Sequence, residues 1–397
     1  MISVSEAQAL CLALVRALPA EAVPLAQAAG RVLAADVVAG RAQPPFADSA
    51  LDGYALRQQD CHPGAVLTVV GEAAAGHAWA GRINQGEALR IFTGAPVPDG
   101  AECVVIQEDV TRAGNRITLG DKLDSGTNIR PQGADFAADY KLTAPRRLGP
   151  SELALLAAMN AGQVQATRKP EVAIIATGDE LVMPGEDPRP DQIIASNLFA
   201  LKAMIEAAGG HARLLPIARD SEASLMTVYE MAMGADLIVT IGGASVGDHD
   251  LVAQVAARFG LTQSFYKIAM RPGKPLIAGA FGDGTPYLGL PGNPVSAIVC
   301  GHLFLLPMLR AMLGLRDVLP VVLRARLASA IEANGPRAHY MRAQLADGAE
   351  GREVTAFDRQ DSSLLTVLSE ADALLLRPPH DGPRAVGDLV EVLPLSF

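Results

Sequence analysis

From Lys169 onward, short apolar runs alternate with segments of helical period, and that alternation constrains the fold more tightly than anything else in the chain. "EVAIIATG" (171–178) has the length and composition of a buried strand, and "SNLFALKAMIEAAGG" (196–210) has apolar residues at helical spacing, with Ser196 or Asn197 as the expected cap. "ARLLPIA", "SEASLMTVYEMAMG", "ADLIVTIGG", "DLVAQVAARFG" and "QSFYKIAM" continue the series. Strands separated by helices of this length imply a parallel sheet with helices on both faces, a doubly wound α/β arrangement. A long helix after Pro294 closes the unit near Leu315. Such sheets bind ligands beyond the carboxyl ends of their strands, which makes candidates of five loops: "TGDE" (177–180), "ARDS" (218–221), "GGASVGDHD" (242–250), "MRPGKP" (270–275) and "LPGNPVSA" (290–297).

The remaining sequence has a different texture. At 397 residues the chain exceeds what one hydrophobic core usually serves, so two to four domains are expected. Residues 1–40 read as two helices, the first with Ser3 and Glu6 spaced as a capping box and the second being "PLAQAAGRVLAADV". With "GPSELALLAAMNAG" they form a helical linking region, 1–40 and 141–168. Residues 41–140 are short apolar runs broken by Gly and Pro, a β-rich inserted domain. The α/β domain spans 169–318, and 319–397 is again β-rich, with "PVVLRARLA", "YMRAQLA", "EVTAF" and "DLVEVL" as strands.

A formal charge of -10 argues against a nucleic-acid-coating surface, so an anionic ligand must be held by local groups. Cys11, Cys61, Cys103 and Cys300 are scattered without zinc-ligand spacing, as small core residues of a reducing compartment would be. The N-terminus lacks a basic leader, and no run reaches the roughly 20 uninterrupted apolar residues of a bilayer span. These features lead to the expectation of a cytoplasmic protein with no membrane association.

Each candidate loop alone has a plain structural explanation. The "GGASVGDHD" turn could be a connector whose Asp248 or Asp250 caps the next helix. Its neighbours strengthen the functional reading. Lys274 is pinned between two prolines, and Gly292 and Asn293 precede Pro294 at a helix start, where free N–H groups and the helix dipole favour an anion. Acid-rich and base-rich loops at one sheet edge suit a phosphorylated ligand held with Mg2+, which takes a few carboxylates plus phosphate oxygens and water. Asp179, Glu180, Asp220, Asp248 and Asp250 are the candidate carboxylates, whereas an oxygen-rich Mg2+ site has little use for His249. Gly242, Gly243 and Ser245 would admit the phosphates.

"SALDGYAL", "IFTGAPVPDGAECVVIQED", "NIRPQGADF", "ATGDEL", "IGGASVGDHD", "KIAMRPGKP", "LPGNPVSA" and "YMRAQL", in this order, resemble the MoeA-type molybdopterin molybdenumtransferases of molybdenum-cofactor synthesis. The resemblance implies an elongated homodimer of four-domain protomers, whose active site joins the α/β and C-terminal domains of one subunit to the β-rich domain of the other. It implies that adenylated molybdopterin and molybdate are substrates, that Mg2+ is the cofactor, that AMP is released, and that a separate molybdopterin adenylyltransferase supplies the substrate. The matching catalytic residues are Asp52, Thr93, Asp135, Glu180, Asp220, Asp250 and Lys267, with Glu180, Asp220 and Asp250 as metal ligands. Arg271, Lys274, Ser296, Arg342 and Ser362 match the oxyanion side, joined by Gly242, Gly243, Ser245, Gly292 and Asn293.

The chain departs from the family where Ala47-Asp48 shifts an acid by one position and where Arg271 replaces a frequent Lys. Charge is retained at Arg271, although a planar fork is not a point charge. Three other readings compete: an adenylyltransferase, a nucleotide-processing hydrolase of the competence-damage type, and a non-catalytic scaffold of the same family. "LDGYA" and "PQGAD" oppose the first, the insertion at 41–140 opposes the second, and the intact acidic set opposes the third.

Overall fold

The computed structural model describes residues 1–243, 251–348 and 351–395. Its centre is a six-stranded sheet in the order His211–Leu214, Glu171–Ala176, Leu237–Ile241, Pro286–Leu290, Ile277–Ala280, Thr262–Tyr266. Period-two alternation divides the central strands between two cores. Val172, Ile174 and Ala176 face the helices Val4–Ala13, Ser196–Ala208 and Pro294–Met312, while Ala173 and Ile175 face Glu222–Ala232 and Leu251–Arg258. Each fully buried Leu, Ile or Val there stabilises the fold by roughly 1.5–3 kcal/mol.

The doubly wound expectation holds for the first four strands, which pair in parallel. Ile277–Ala280 alone runs against them, so the edge strand Thr262–Tyr266 of "QSFYKIAM" points the same way as the first four but pairs antiparallel with its neighbour. The reason is connector length. Only residues 281–285 join Ile277–Ala280 to Pro286–Leu290, enough for a hairpin but not for a helical crossover. The expected cap of the helix Ser196–Ala208 also differs: Ala195 is the N-cap residue, no side chain caps it, and Ser196 and Asn197 lie inside the helix. The closing helix starts with Pro294, passes through a π-helical turn at Gly301–Leu305, and ends at Met312. By length and composition it could cross a membrane, but 89% of that window is buried in this core.

The linking region corrects the sequence reading further. The capping box forms, with Glu6 N–H donating to Ser3 Oγ at 3.2 Å and Ser3 N–H to Glu6 Oε2 at 2.7 Å, but this first helix packs on the α/β core. "PLAQAAGRVLAADV" is not a helix. It forms a short 3-10 turn, Leu25–Gln27, and the strand pairs Val32–Leu33 and Val37–Val38. Val32–Leu33 joins a four-stranded sheet with Ala20–Pro24, Gln163–Thr167 and Arg146–Arg147. Pairing with segments more than a hundred residues away overrides the local helical spacing, and Gly30 at φ +73° breaks it. The linking region is therefore a mixed unit, with Pro150–Ala158 as its own helix.

The inserted domain is a second six-stranded sheet, in the order Cys103–Ile106, Gly53–Leu56, Glu87–Ile91, Val66–Ala73, Arg116–Leu119, Val110–Ala113. The C-terminal strands close into a barrel, because Ala338–Gly348 pairs with both Gly351–Ala356 and Ala373–Arg377. Met270–Arg271 runs in parallel beside Ala338 and His339, which ties the "RPGKP" turn to this barrel.

Candidate functional site

Two adjoining hollows lie at the carboxyl edge of the α/β sheet, and Pro275, Asn293 and Ser296 line both. The larger, about 580 Å³, is lined by Thr177, Glu180, Gly242, Gly243 and Gly292, with an apolar wall that includes Ile193 and Ile194. Glycine is required where the backbone is closest. Gly243 has φ +63°, and a Cβ there would lie 2.5 Å from a Val252 methyl. The smaller hollow, about 250 Å³, is lined by Arg271, Lys274, Arg337, Gln360, Asp361 and Ser362.

These hollows bring together Glu180, Gly242, Gly243, Gly292, Asn293, Ser296, Arg271, Lys274 and Ser362. The barrel docks on the start of the helix at Pro294, since Asn293 Nδ2 donates to Ser362 Oγ at 2.9 Å and Val295 N–H donates to Ser362 O at 3.1 Å. Arg342 does not line either hollow. It is 1% exposed and braces the loop that does: Nε donates to Gln360 Oε1 at 3.3 Å, and Nη1 to the carbonyls of Asp361 at 2.9 Å and Leu364 at 3.4 Å. Arg342 thus positions the loop that brings Asp361 and Ser362 to the smaller hollow.

The acidic loops are braced in a similar way. Arg219 Nη1 donates to the carbonyls of Gly178, Asp179 and Leu181, and Asp220 N–H donates to Asp179 Oδ1 at 3.1 Å. Glu180 and Asp220 therefore stand on loops fastened to each other, although only Glu180 reaches the larger hollow. Ser245, Asp248, His249 and Asp250 lie outside the described residues. Among those described, no three possible ligands converge on a point.

The remaining candidates line neither hollow. Lys267, in a left-handed backbone conformation at φ +71°, places Nζ 4.8 Å from the centre of the Tyr266 ring. In the inserted domain, Thr93 donates from both N–H and Oγ1 to Asp52 Oδ1, each at 2.8 Å. Those bonds hold the Asp52 carboxyl below the usual carboxylate range. Asp135 is exposed, and its N–H donates to Gln43 O at 2.9 Å.

Several residues at the site escaped the sequence reading. Arg337 adds a third cation to the smaller hollow, and its only local signal was its position five residues before Arg342. Asn197, which the sequence offers only as a helix cap, lines the larger hollow and donates to Gly292 O at 2.7 Å, which fixes the loop before Pro294. His339 is buried beside this cluster. Burial first, then Arg271, Arg342, Arg377 and Arg337, push its pKa down to about 4, so it is neutral near pH 7 and does not add to the repulsion.

Known proteins resemble the chain along its length. Residues 2–160 match the MoeA N-terminal region (domains I and II), 173–311 a probable molybdopterin binding domain, and 324–395 the MoeA C-terminal region (domain IV). It is 35% identical over 391 residues to a Nostoc protein named molybdopterin molybdenumtransferase, covering 95% of this chain and 89% of that one. To the Mycobacterium tuberculosis protein named molybdopterin molybdenumtransferase 2 it is 34% identical over 411 residues, with both chains fully covered. The crystal structure of a molybdopterin biosynthesis MoeA protein from Pyrococcus horikosii superposes with a TM-score of 0.84 at 30% identity over the whole of both chains.

Proposed function

Because the chain belongs to the MoeA family of molybdopterin molybdenumtransferases, we propose that it inserts molybdenum from molybdate into adenylated molybdopterin with release of AMP. The observation that carries this reading is the pair of joined hollows. One has glycine loops and an apolar wall suited to a phosphorylated pterin, and the other has Arg271, Lys274 and Arg337 around hydroxyl groups. Molybdate is a tetrahedral dianion, best held by guanidinium and ammonium charge with N–H groups and hydroxyls. Ser296 and Asn293 at the shared wall, with Ser362 in the smaller hollow, orient it toward the pterin side. Gly242, Gly243 and Gly292 let backbone approach the phosphates, and Lys274 draws charge away from them.

Glu180 and Asp220, exposed oxygen donors on loops braced together, fit Mg2+, which keeps several waters and binds through few carboxylates. Asp250 would complete the set, and Mg2+ held there would polarise the pyrophosphate linkage and offset charge on the leaving AMP. Asp52, Thr93 and Asp135 line neither hollow of their own subunit, which supports a homodimer in which the partner's inserted domain completes each site. An upstream adenylyltransferase and a cytoplasmic location belong to the same reading. The test supplies purified protein with adenylated molybdopterin, molybdate and Mg2+, and measures AMP and active cofactor. Absence of Mg2+-dependent AMP release overturns it. Asp250→Asn is expected to slow AMP release by at least tenfold while molybdate binding persists.

A further inference from the structure

We infer that the junction between the linking region and the α/β unit is a second anion site, which takes a small phosphate-bearing ligand of the diphosphate class. Two hollows of about 380 and 230 Å³ meet there and share Arg147, Leu315 and Asp317. Neither shares a lining residue with the hollows at the sheet edge. Arg146 and Arg316 line the larger and Arg310 the smaller, so four guanidinium groups face one lining carboxylate, in a chain whose net charge is -10.

Local structure uses some of these donors without cancelling their charge. Arg147 donates to the carbonyls of Ala207 and Ala208 at the end of the helix Ser196–Ala208, and Arg310 Nη1 donates to Val318 O at 3.1 Å. Carbonyl dipoles satisfy N–H groups but leave a net cation. Among the described residues, no carboxylate lies within ion-pair distance of Arg147, Arg310 or Arg316, and Glu152 stands 3.9 Å from Arg146. Asp36, which feels Arg316, already pairs with Lys141 at 3.2 Å and accepts from Ala144 N–H at 2.8 Å. Arg310 is half-buried, and burial followed by Arg147 lowers its pKa, as expected of a cation held near another without a counterion.

A polyanion relieves that repulsion through charge-assisted, bidentate bonds. The concavity and its division into two linked lobes favour two phosphate groups over an extended acidic polymer, which would need an open basic face. Bound there, the ligand bridges strand Arg146–Arg147 and the segment after Met312, and so holds the linking region against the α/β unit.

The probe is inorganic pyrophosphate, titrated calorimetrically into the full chain at fixed ionic strength. The Arg271→Gln/Lys274→Met variant disables the sheet-edge site, so one pyrophosphate per chain is expected to remain bound. Adding Arg146→Gln and Arg316→Gln, both exposed positions, is expected to weaken that binding at least tenfold with the circular dichroism spectrum unchanged. Unchanged affinity in the quadruple variant, or no binding in the first, overturns the inference. So does tighter binding of an acidic polypeptide than of pyrophosphate at the same arginines.

Discussion

Ser362 and Arg342 stand on the same side of the pocket but act through different atoms. Ser362 lines the hollow and accepts from Asn293, so Ser362→Ala is expected to raise the molybdate concentration for half-maximal activity several-fold with little loss of Tm. Arg342 is buried, and its truncation leaves the carbonyls of Asp361 and Leu364 without a partner, a cost of roughly 1–3 kcal/mol. Arg342→Ala should therefore lower Tm and weaken molybdate dependence together, and an unchanged Tm in thermal melts would remove its positioning role. Residue type and turn chemistry singled out Lys274, and the family resemblance implied Ser296 and Ser362. Neither could distinguish a contacting Arg from a bracing one, since that depends on which neighbours bury the guanidinium. Arg337 was passed over for the complementary reason: nothing local sets it apart until the barrel brings it beside Arg271.

At the level of elements, the "RPGKP" turn depends on close packing. Gly273 has φ +102°, and a Cβ there would lie 2.4 Å from Cys300 Sγ on the closing helix. Gly273→Ala combines a disfavoured backbone with an overpacked contact, so a loss of about 1–3 kcal/mol is expected, read as a lower midpoint in denaturant, together with impaired molybdate saturation. A variant with wild-type stability and kinetics would mean that the turn does not need this approach. The helices Ser196–Ala208 and Glu222–Ala232 and the central strands were legible because each is long, periodic and consistent with its burial. The antiparallel hairpin Ile277–Leu290 was less so, although the Gly and Asp residues between its strands were a usable turn signal. "PLAQAAGRVLAADV" misled for a physical reason: alanine-rich spacing favours a helix, but Val32 and Leu33 gain more by pairing with distant strands and burying completely.

For the whole molecule, a composite site makes a sharp demand on the assembly. Asp52→Asn and Lys274→Met chains, each inactive alone, should on mixing and subunit exchange recover roughly a quarter of wild-type activity, since half the dimers carry one intact site of two. No recovery despite verified exchange would place all these groups within one subunit. Stability should also respond to acid. His339 and His302 are both pushed from 6.5 to about 4, in each case by burial first. The unfolded chain then binds more protons between those values, so stability is fully present above pH 6.5 and is lost as pH falls toward 4, by up to about 3 kcal/mol per histidine. His339→Gln should flatten the decline of Tm across that window, and an unaltered slope would contradict it.

The sequence by itself determined the α/β layering, the edge of the sheet that carries the site, the chemical division between acidic and basic loops, and the family, because these follow from local periodicity, turn chemistry and motif order. Only the tertiary structure decided that the linking region contains a sheet, that the C-terminal strands close into a barrel lying against the "RPGKP" turn, and that Arg342 braces the pocket while Arg337 lines it. Each of those outcomes depends on pairing or burial between segments far apart in the chain, where the free energy of long-range contact outweighs local preference.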